Sequence, residues 1–431
     1  MRSIAAGVLL LLFRAPLAAA QHEHAPPLSA PPGHLDPMSG PLDLSVHRWG
    51  SGTAWQPPST PMFGHIYVFD RWSVMLHYNA FAGLDAQGTE RGDTELVGIG
   101  WIMGMLRGPL LGGQLGARAM LSPEPIVQGR TGYPLLLQTG ESAFGRALVD
   151  RQHPHDLFME LAVTYQRALG DDLAFELYLA PSGEPALGPV AYPHRLSALA
   201  DPLAPISHHW QDSTHIAFGV VTAGIYSRSV KLEASLFNGL EPDEARYGID
   251  LRRLDSGSIR LSATPSDRWA LSGSFGYLRE PEAREPGHSQ VRVSASAMYN
   301  EPLGDGANWA TTAVLGQNRP EEDPATLSLL VESSLWSNRN VFFGRAEFVE
   351  KTAHDFDLHD LPETTLLPVS SFVLGYARQF GPFLGVVPAV GVRGSVGIVG
   401  DTLEGLYGTR LPLGAMIYLW ISPEQMRHPG H

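Results

Sequence analysis

The chain has 431 residues, 44% of them hydrophobic and 17% charged, with a formal net charge of −14 at pH 7. The acidic balance argues against nucleic acid as a partner, and the absence of cysteine excludes disulfides, thiolate metal sites and cysteine catalysis. Beyond the N-terminus no run of about 18 apolar residues occurs, so the pattern is not that of a helical membrane protein.

Arg2, the apolar stretch from Ile4 to Phe13 and the small residues Ala18-Ala19-Ala20 read as a secretory signal over 1–20, cleaved before Gln21. Its removal takes Arg2 and Arg14 and moves the formal charge from −14 to about −16. From 21 to 61 the chain is rich in proline, histidine and methionine without periodicity, which predicts a flexible periplasmic segment. It is too short for the folded plug of an energy-coupled receptor, which takes on the order of a hundred residues. His22, His24, His34, Met38, His47, Met62 and His65 offer imidazole and thioether groups for copper or zinc, but their irregular spacing favours a solvated linker.

From 62 to 421 short turn-bounded segments alternate apolar and polar residues, which predicts strands with one oily face. In Leu157, Met159, Leu161, Val163 and Tyr165 that face is apolar, whereas Phe158, Glu160, Ala162, Thr164 and Gln166 make the other. Val291, Val293, Ala295, Ala297 and Tyr299 oppose Arg292, Ser294, Ser296 and Met298 in the same way. The segments fall near 72–84, 94–106, 110–122, 156–168, 172–181, 213–226, 229–238, 257–264, 268–279, 289–300, 307–318, 326–336, 340–350, 369–380, 384–398 and 407–420. Phe63 to Phe69 adds either a further short strand or the start of the first.

Links between segments are alternately short and long. Arg107-Gly108-Pro109, Ser227-Arg228, Asn338-Arg339 and Gly381-Pro382-Phe383 are tight, whereas Ser122 to His155, Ser182 to Asp212, Gly239 to Ser256 and Lys351 to Pro368 are long. Short periplasmic turns and long external loops produce this alternation, so the fold class is all-β: a closed antiparallel transmembrane barrel of about 16 strands, within roughly 14 to 18. A tail, 422–431, follows. Trp72, Tyr165, Trp269, Tyr277, Tyr299, Trp309, Trp336, Tyr407, Tyr418 and Trp420 lie near segment ends and predict interfacial girdles.

On this pattern the chain resembles the porin-like outer-membrane barrels of Gram-negative bacteria over about four fifths of its length. The segment Asp150-Arg151-Gln152-His153-Pro154-His155-Asp156 is similar to one in uncharacterised members of such barrels and carries over no activity. The resemblance implies an outer-membrane location, a periplasmic N-terminal segment, lipid as partner and association into homo-oligomers. Such barrels commonly end on an aromatic residue, whereas here Ile421 to His431 follow Trp420.

The long loops hold the chemistry. Arg146, Asp150, Arg151, His153, His155, Asp156 and Arg195 form the candidate constriction, where cations facing acidic residues would set a transverse field. His153, His155, His194, His208, His209, His215, His354 and His359 are the candidate ligands for Cu or Zn, since imidazole suits both. The bland alternative is that these histidines hydrogen-bond the loops to the rim. Arg118, Glu160, Glu176, Arg292, Arg345 and Glu347 occupy positions that predict a charged, wet lumen. No Gly-x-Ser-x-Gly elbow, His-Glu-x-x-His pair or P-loop occurs, so no catalytic residue is assigned and the chain reads as a non-enzyme.

The leading expectation is therefore a channel for passive passage of small polar solutes, with no cofactor required. A metal-binding outer-membrane protein for copper or zinc tolerance or uptake is the alternative, and a hydrolase on the barrel rim the third.

Overall fold

A computed structural model describes residues 39–282 and 286–426. The expected signal segment, His22, His24, His34, Met38 and the end of the tail lie outside the described residues. Seventeen strands form one antiparallel sheet, sixteen of which close a barrel. They are β1 (Trp72–Gly88), β2 (Thr94–Leu110), β3 (Gly113–Leu121), β4 (Phe158–Ala168), β5 (Ala174–Gly183), β6 (Ala217–Tyr226), β7 (Val230–Phe237) and β8 (Ser256–Ser266). The circle continues through β9 (Trp269–Leu278), β10 (Gln290–Gly304), β11 (Ala307–Pro320), β12 (Thr326–Ser337), β13 (Asn340–Thr352), β14 (Leu366–Gln379), β15 (Val386–Ile398) and β16 (Leu413–Pro423). Closure runs from Ala80 opposite Ile421 to Gly88 opposite Leu413. The seventeenth strand, His65–Phe69, hairpins onto Trp72–Leu76 and extends the seam where β16 ends.

Several strands, β7 among them, follow the reverse of a soluble pattern, whereas β2 turns Val97, Ile99, Trp101 and Met103 inward. In β7, Val230, Leu232 and Leu236 are 46–57% exposed, whereas Lys231 and Glu233 between them are at most 1% exposed. An apolar exterior around a charged interior is stable when hydrocarbon covers the outside and the charges pair within. Two-residue turns at Leu111-Gly112, Asp305-Gly306 and Asn338-Arg339 have both residues at positive φ, the geometry that matches strand twist in a tight hairpin. The Leu111-Gly112 turn corrects the expectation of a turn at Arg107-Gly108-Pro109, where Gly108 pairs with Leu115 and Pro109 with Gln114. The stretch from Glu301 to Gly306 is mostly strand, with only Asp305-Gly306 in the turn.

Two further expectations are corrected. A register shift where β3 meets β4 puts one extra residue in β4, and the bulge turns Met159 inward, to 2% exposure, against the alternation that assigned it to the oily face. Trp269, Tyr299 and Trp309 do form an outward aromatic patch at the turn end, with ring centroids 4.8 and 5.7 Å apart. Trp336, Tyr407, Tyr418 and Trp420 do not join a girdle: all are at most 7% exposed, and Trp420 donates to the Asn79 side chain at 2.6 Å.

The lumen is filled rather than open. Residues 39–63 enter it from the turn end, where the Trp49 indole donates to Glu176 at 3.0 Å, Arg118 to the Gly52 carbonyl at 2.8 Å, and Lys231 to the Thr53 carbonyl. His47, Thr53, Ala54 and Trp55 are buried, which corrects the reading of this stretch as a solvated linker. Loop 184–216 crosses the middle. It takes hydrogen bonds from Asn79 in β1, Arg260 in β8, Ser334 in β12, Arg345 in β13 and Tyr418 in β16, so it spans the barrel from wall to wall. Loop 122–157 lies over it at the other end, where Tyr133 accepts from the Ala204 N–H at 3.2 Å.

Candidate metal centre

At the loop end, loops 122–157 and 184–216 bring three imidazoles together. Ligand atoms of His153, His208 and His209 lie within 4.8 Å of one another, and so do those of Glu141, His209 and Glu241. Local chemistry explains the arrangement. Tyr133–Pro134 pairs with Arg151–Gln152 as a small ribbon, and Pro154 separates the two rings that follow it, so that His153 meets the cluster while His155 meets Glu124. A single helical turn, His208–Gln211, presents His208 and His209 side by side, with rings 5.1 Å apart.

Asp212 is the anchor beneath. It accepts from His208 Nδ1 at 2.7 Å, Arg195 Nη1 at 2.8 Å and the Tyr192 N–H at 3.0 Å. Burial alone would raise this carboxyl, but Arg195 and His208 outweigh it and hold it below the ordinary range. The Nδ1–H bond fixes the His208 tautomer and leaves the Nε2 lone pair for a ligand. In His153, Nδ1 donates to the Pro154 carbonyl at 3.0 Å, so Nε2 is the lone-pair nitrogen, and it faces Glu141 Oε1 at 3.2 Å. Two electron-rich atoms at that distance repel unless a proton or a cation lies between them.

His209 is 4% exposed, and neither ring nitrogen has a hydrogen-bond partner among the described residues; Glu241 Oε1 approaches Nδ1 only to 4.0 Å. Burial, and next the neighbouring cations and imidazoles, lower the His153 and His209 pKa values well below the usual 6.5, which keeps both rings in the neutral, metal-binding form. Burial raises Glu141 and, more strongly, Glu241. A cleft of about 70 Å³ leads to His209 and Glu241 past Glu282, His354 and Asp355.

The remaining sequence candidates separate into distinct roles. His155 is committed, with Nδ1 2.9 Å from Glu124 and Nε2 3.0 Å from the Tyr192 hydroxyl, and so supports the cluster without facing it. His215 packs 5.2 Å from His208, with Nδ1 donating to the Asp212 carbonyl at 2.7 Å. His354 lines the cleft, whereas His359 is 83% exposed beside Asp357 and takes no part. His194 lies apart, in a second cavity with His77, and burial lowers its pKa to about 3.

The candidate constriction is corrected. Arg146 is exposed on a hairpin tip, Arg151 is turned to the rim by Glu95 at 2.8 and 3.0 Å, and Asp150 is closed by Arg91 and Tyr407, both at 2.6 Å. Arg195, with no exposed surface, is paired with Glu332 at 2.6 Å and with Asp212, and Asp156 with Arg246 at 3.2 Å. These charges neutralise one another locally and leave no transverse field across an opening. Among the lumen positions, Arg118 pairs with Glu160 at 2.8 Å, Glu176 with Lys231 at 2.9 Å and Arg345 with Glu332 at 3.2 Å. Arg292 donates to Asn318, and Glu347 accepts from Ser207. They tie the lumen contents to the wall. Glu141 and Glu241 were missed in the sequence, where isolated glutamates in long loops carry no spacing signal.

No protein-family model matches the chain, and no curated protein matches it. Solved structures do. The anion-selective porin of Comamonas acidovorans superposes with a TM-score of 0.50 at 11% identity, covering 81% of this chain and 99% of its own. OmpF of Salmonella typhi, solved in complex with daunomycin, superposes with a TM-score of 0.51 at 10% identity, covering 83% and 100%. The fold is that of the porin-like outer-membrane barrels.

Proposed function

We propose that this barrel is an outer-membrane metal-binding protein that takes a divalent transition-metal ion, Zn(II) or Cu(II), at His153, His208 and His209. The carrying observation is the set of three imidazoles with ligand atoms within 4.8 Å of one another, one of them buried with both nitrogens unpartnered. An uncompensated buried imidazole costs free energy that coordination returns, and neutral imidazole suits both ions. Glu141 and Glu241 bring carboxyl oxygens to the edge of the site, which give up their protons as the cation binds, and Glu282 and Asp355 line the cleft that leads there. In the proposed orientation the long loops face outward and residues 39–63 face the periplasm, so the metal arrives from outside.

Passive passage of small polar solutes would require loop 184–216 to leave the lumen, against its bonds to opposite walls. Calorimetric titration of Zn(II) into the detergent-folded protein tests the proposal. Saturable binding that disappears in the variant H153A/H208A/H209A supports it, and unchanged binding in that variant removes it.

A further inference from the structure

A second cluster of soft donors lies deeper, between residues 39–63 and loop 184–216, and its chemistry differs from that of the loop histidines. On β1, Met75 and His77 share the inward face, two residues apart; on β2, Met103 and Met105 do the same. The strand register sets Met75 opposite Met105 and His77 opposite Met103. Directly opposed side chains have Cβ atoms about 5 Å apart, so three thioethers and an imidazole form one patch on the wall. Met62 from the N-terminal segment and His194 from the inward loop line the same cavity of about 130 Å³.

Methionine usually fills core space, and that explanation would have the four thioethers close the gap between the elements. Met103 and Met105 do pack against a buried cluster around Trp101, but all four thioethers also border a cavity that is left unfilled. Its charged lining groups are already committed: Arg118 to Glu160 at 2.8 Å, Arg107 to Gln166 at 3.0 Å, and Glu176 to Lys231 at 2.9 Å. Neither the His77 nor the His194 ring makes a hydrogen bond to another described residue; each packs against the Trp101 ring instead, at 4.7 and 4.8 Å. The uncommitted electron pairs lining the cavity are therefore mainly those of sulfur and imidazole nitrogen, with the Gln56 side-chain oxygen beside them.

We propose that this cavity is a binding site for a soft monovalent cation, Cu(I), with ligands drawn from Met62, Met75, Met103, Met105, His77 and His194. Thioether and neutral imidazole select Cu(I), whereas Zn(II) and Cu(II) prefer sites rich in nitrogen and oxygen. The charge of the surroundings points the same way. Arg107 and Arg118 border the cavity and no carboxylate there lacks a cationic partner, so a single positive charge is tolerated better than two. The site stands on its own residues and does not depend on the metal centre at the loop end.

The test is an anaerobic Cu(I) titration of the full folded protein against a coloured Cu(I) chelator, in the background H153A/H208A/H209A so that the loop histidines contribute nothing. The expected result is retention of one tightly held Cu(I), with sulfur scatterers at the copper X-ray absorption edge. Adding M75L/M103L/M105L, which preserves side-chain volume, weakens binding by more than the roughly 100-fold that loss of one supporting partner of a ligand costs. His194→Gln, which leaves the wall intact, is the second variant and also weakens binding, and heat-modifiable gel mobility confirms that each variant is folded. Cu(I) affinity unchanged by both sets of substitutions, or an edge spectrum with only nitrogen and oxygen, would overturn the proposal. Loss of Zn(II) binding at the loops leaves this result unaffected, so the two sites fail separately.

Discussion

Arg195 is the side chain whose removal should open the barrel. Its guanidinium has no exposed surface and donates to Glu332 on β12 at 2.6 Å, to Asp212 at 2.8 Å and to the Val190 carbonyl at 3.0 Å. Arg195→Met keeps the bulk of the stem but strips one cation from two buried carboxylates. Breaking a buried pair costs about 3–5 kcal/mol, and the low end applies here, because Glu332 retains Arg345 at 3.2 Å and Asp212 retains His208 at 2.7 Å. About 3 kcal/mol shifts a local open-to-closed equilibrium by a factor of roughly 150. The loss falls on loop docking rather than on the barrel, because the wall is held by its own backbone ladder. In planar bilayers the unmodified protein should give rare open steps and R195M steps about 100-fold more frequent, as a barrel of this strand number conducts once its loop departs. Equal step frequency in the two proteins, or a steadily open unmodified barrel, would refute the reasoning.

Three other outcomes follow from named contacts. Glu184 is buried against Arg260 and its pKa is raised by burial to about 7, so the folded state binds more protons than the unfolded one between pH 4.5 and 7. Stability contributed by this group is therefore lost as pH rises through that window, and Glu184→Gln should stabilise the protein at pH 8 by on the order of 3 kcal/mol; denaturant curves at pH 5 and 8 check the sign. His155→Ala removes the bridge between Glu124 and Tyr192 but no ligand, so calorimetry should show Zn(II) affinity falling by roughly 10-fold, while His209→Ala abolishes binding. In single-tryptophan variants, brominated lipid should quench Trp309, which is 41% exposed on the outer wall, and leave Trp420, 1% exposed in the lumen, bright; equal quenching would contradict the assigned faces.

The strand ladder was legible because lipid imposes a rule on every residue of the wall: an apolar side chain at each second position, broken only by turns. All sixteen barrel strands fall where that alternation put them, within a few residues at most ends. What failed to show are features that depend on which surface lies inside. Trp336 and Trp420 sit near strand ends, as girdle residues do, but their rings pack 5.7 Å apart in the lumen with Phe63 and Phe81. Met159 obeyed the alternation in sequence and broke it at a bulge that no residue type announces. The periodicity of 39–61 is absent because this segment packs as an irregular filler against Lys231, Glu176 and Arg260, a role set by the wall and not by its own pattern.

The histidines of the loops were visible as residue types, but their partition was not. His153, His208 and His209 converge, whereas His155 is tied to Glu124 and His359 points to solvent, and only the folded paths of the two loops decide between these outcomes. Met75 opposite Met105 and His77 opposite Met103 were hidden for a different cause: the pairing needs the strand register, which alternation alone does not specify.

The most direct measurement is anomalous diffraction at the zinc edge from crystals of the Zn(II)-loaded protein. The account predicts a principal peak enclosed by the rings of His153, His208 and His209. A map whose peaks lie only on exposed side chains such as His359, with the three rings unchanged, would contradict it.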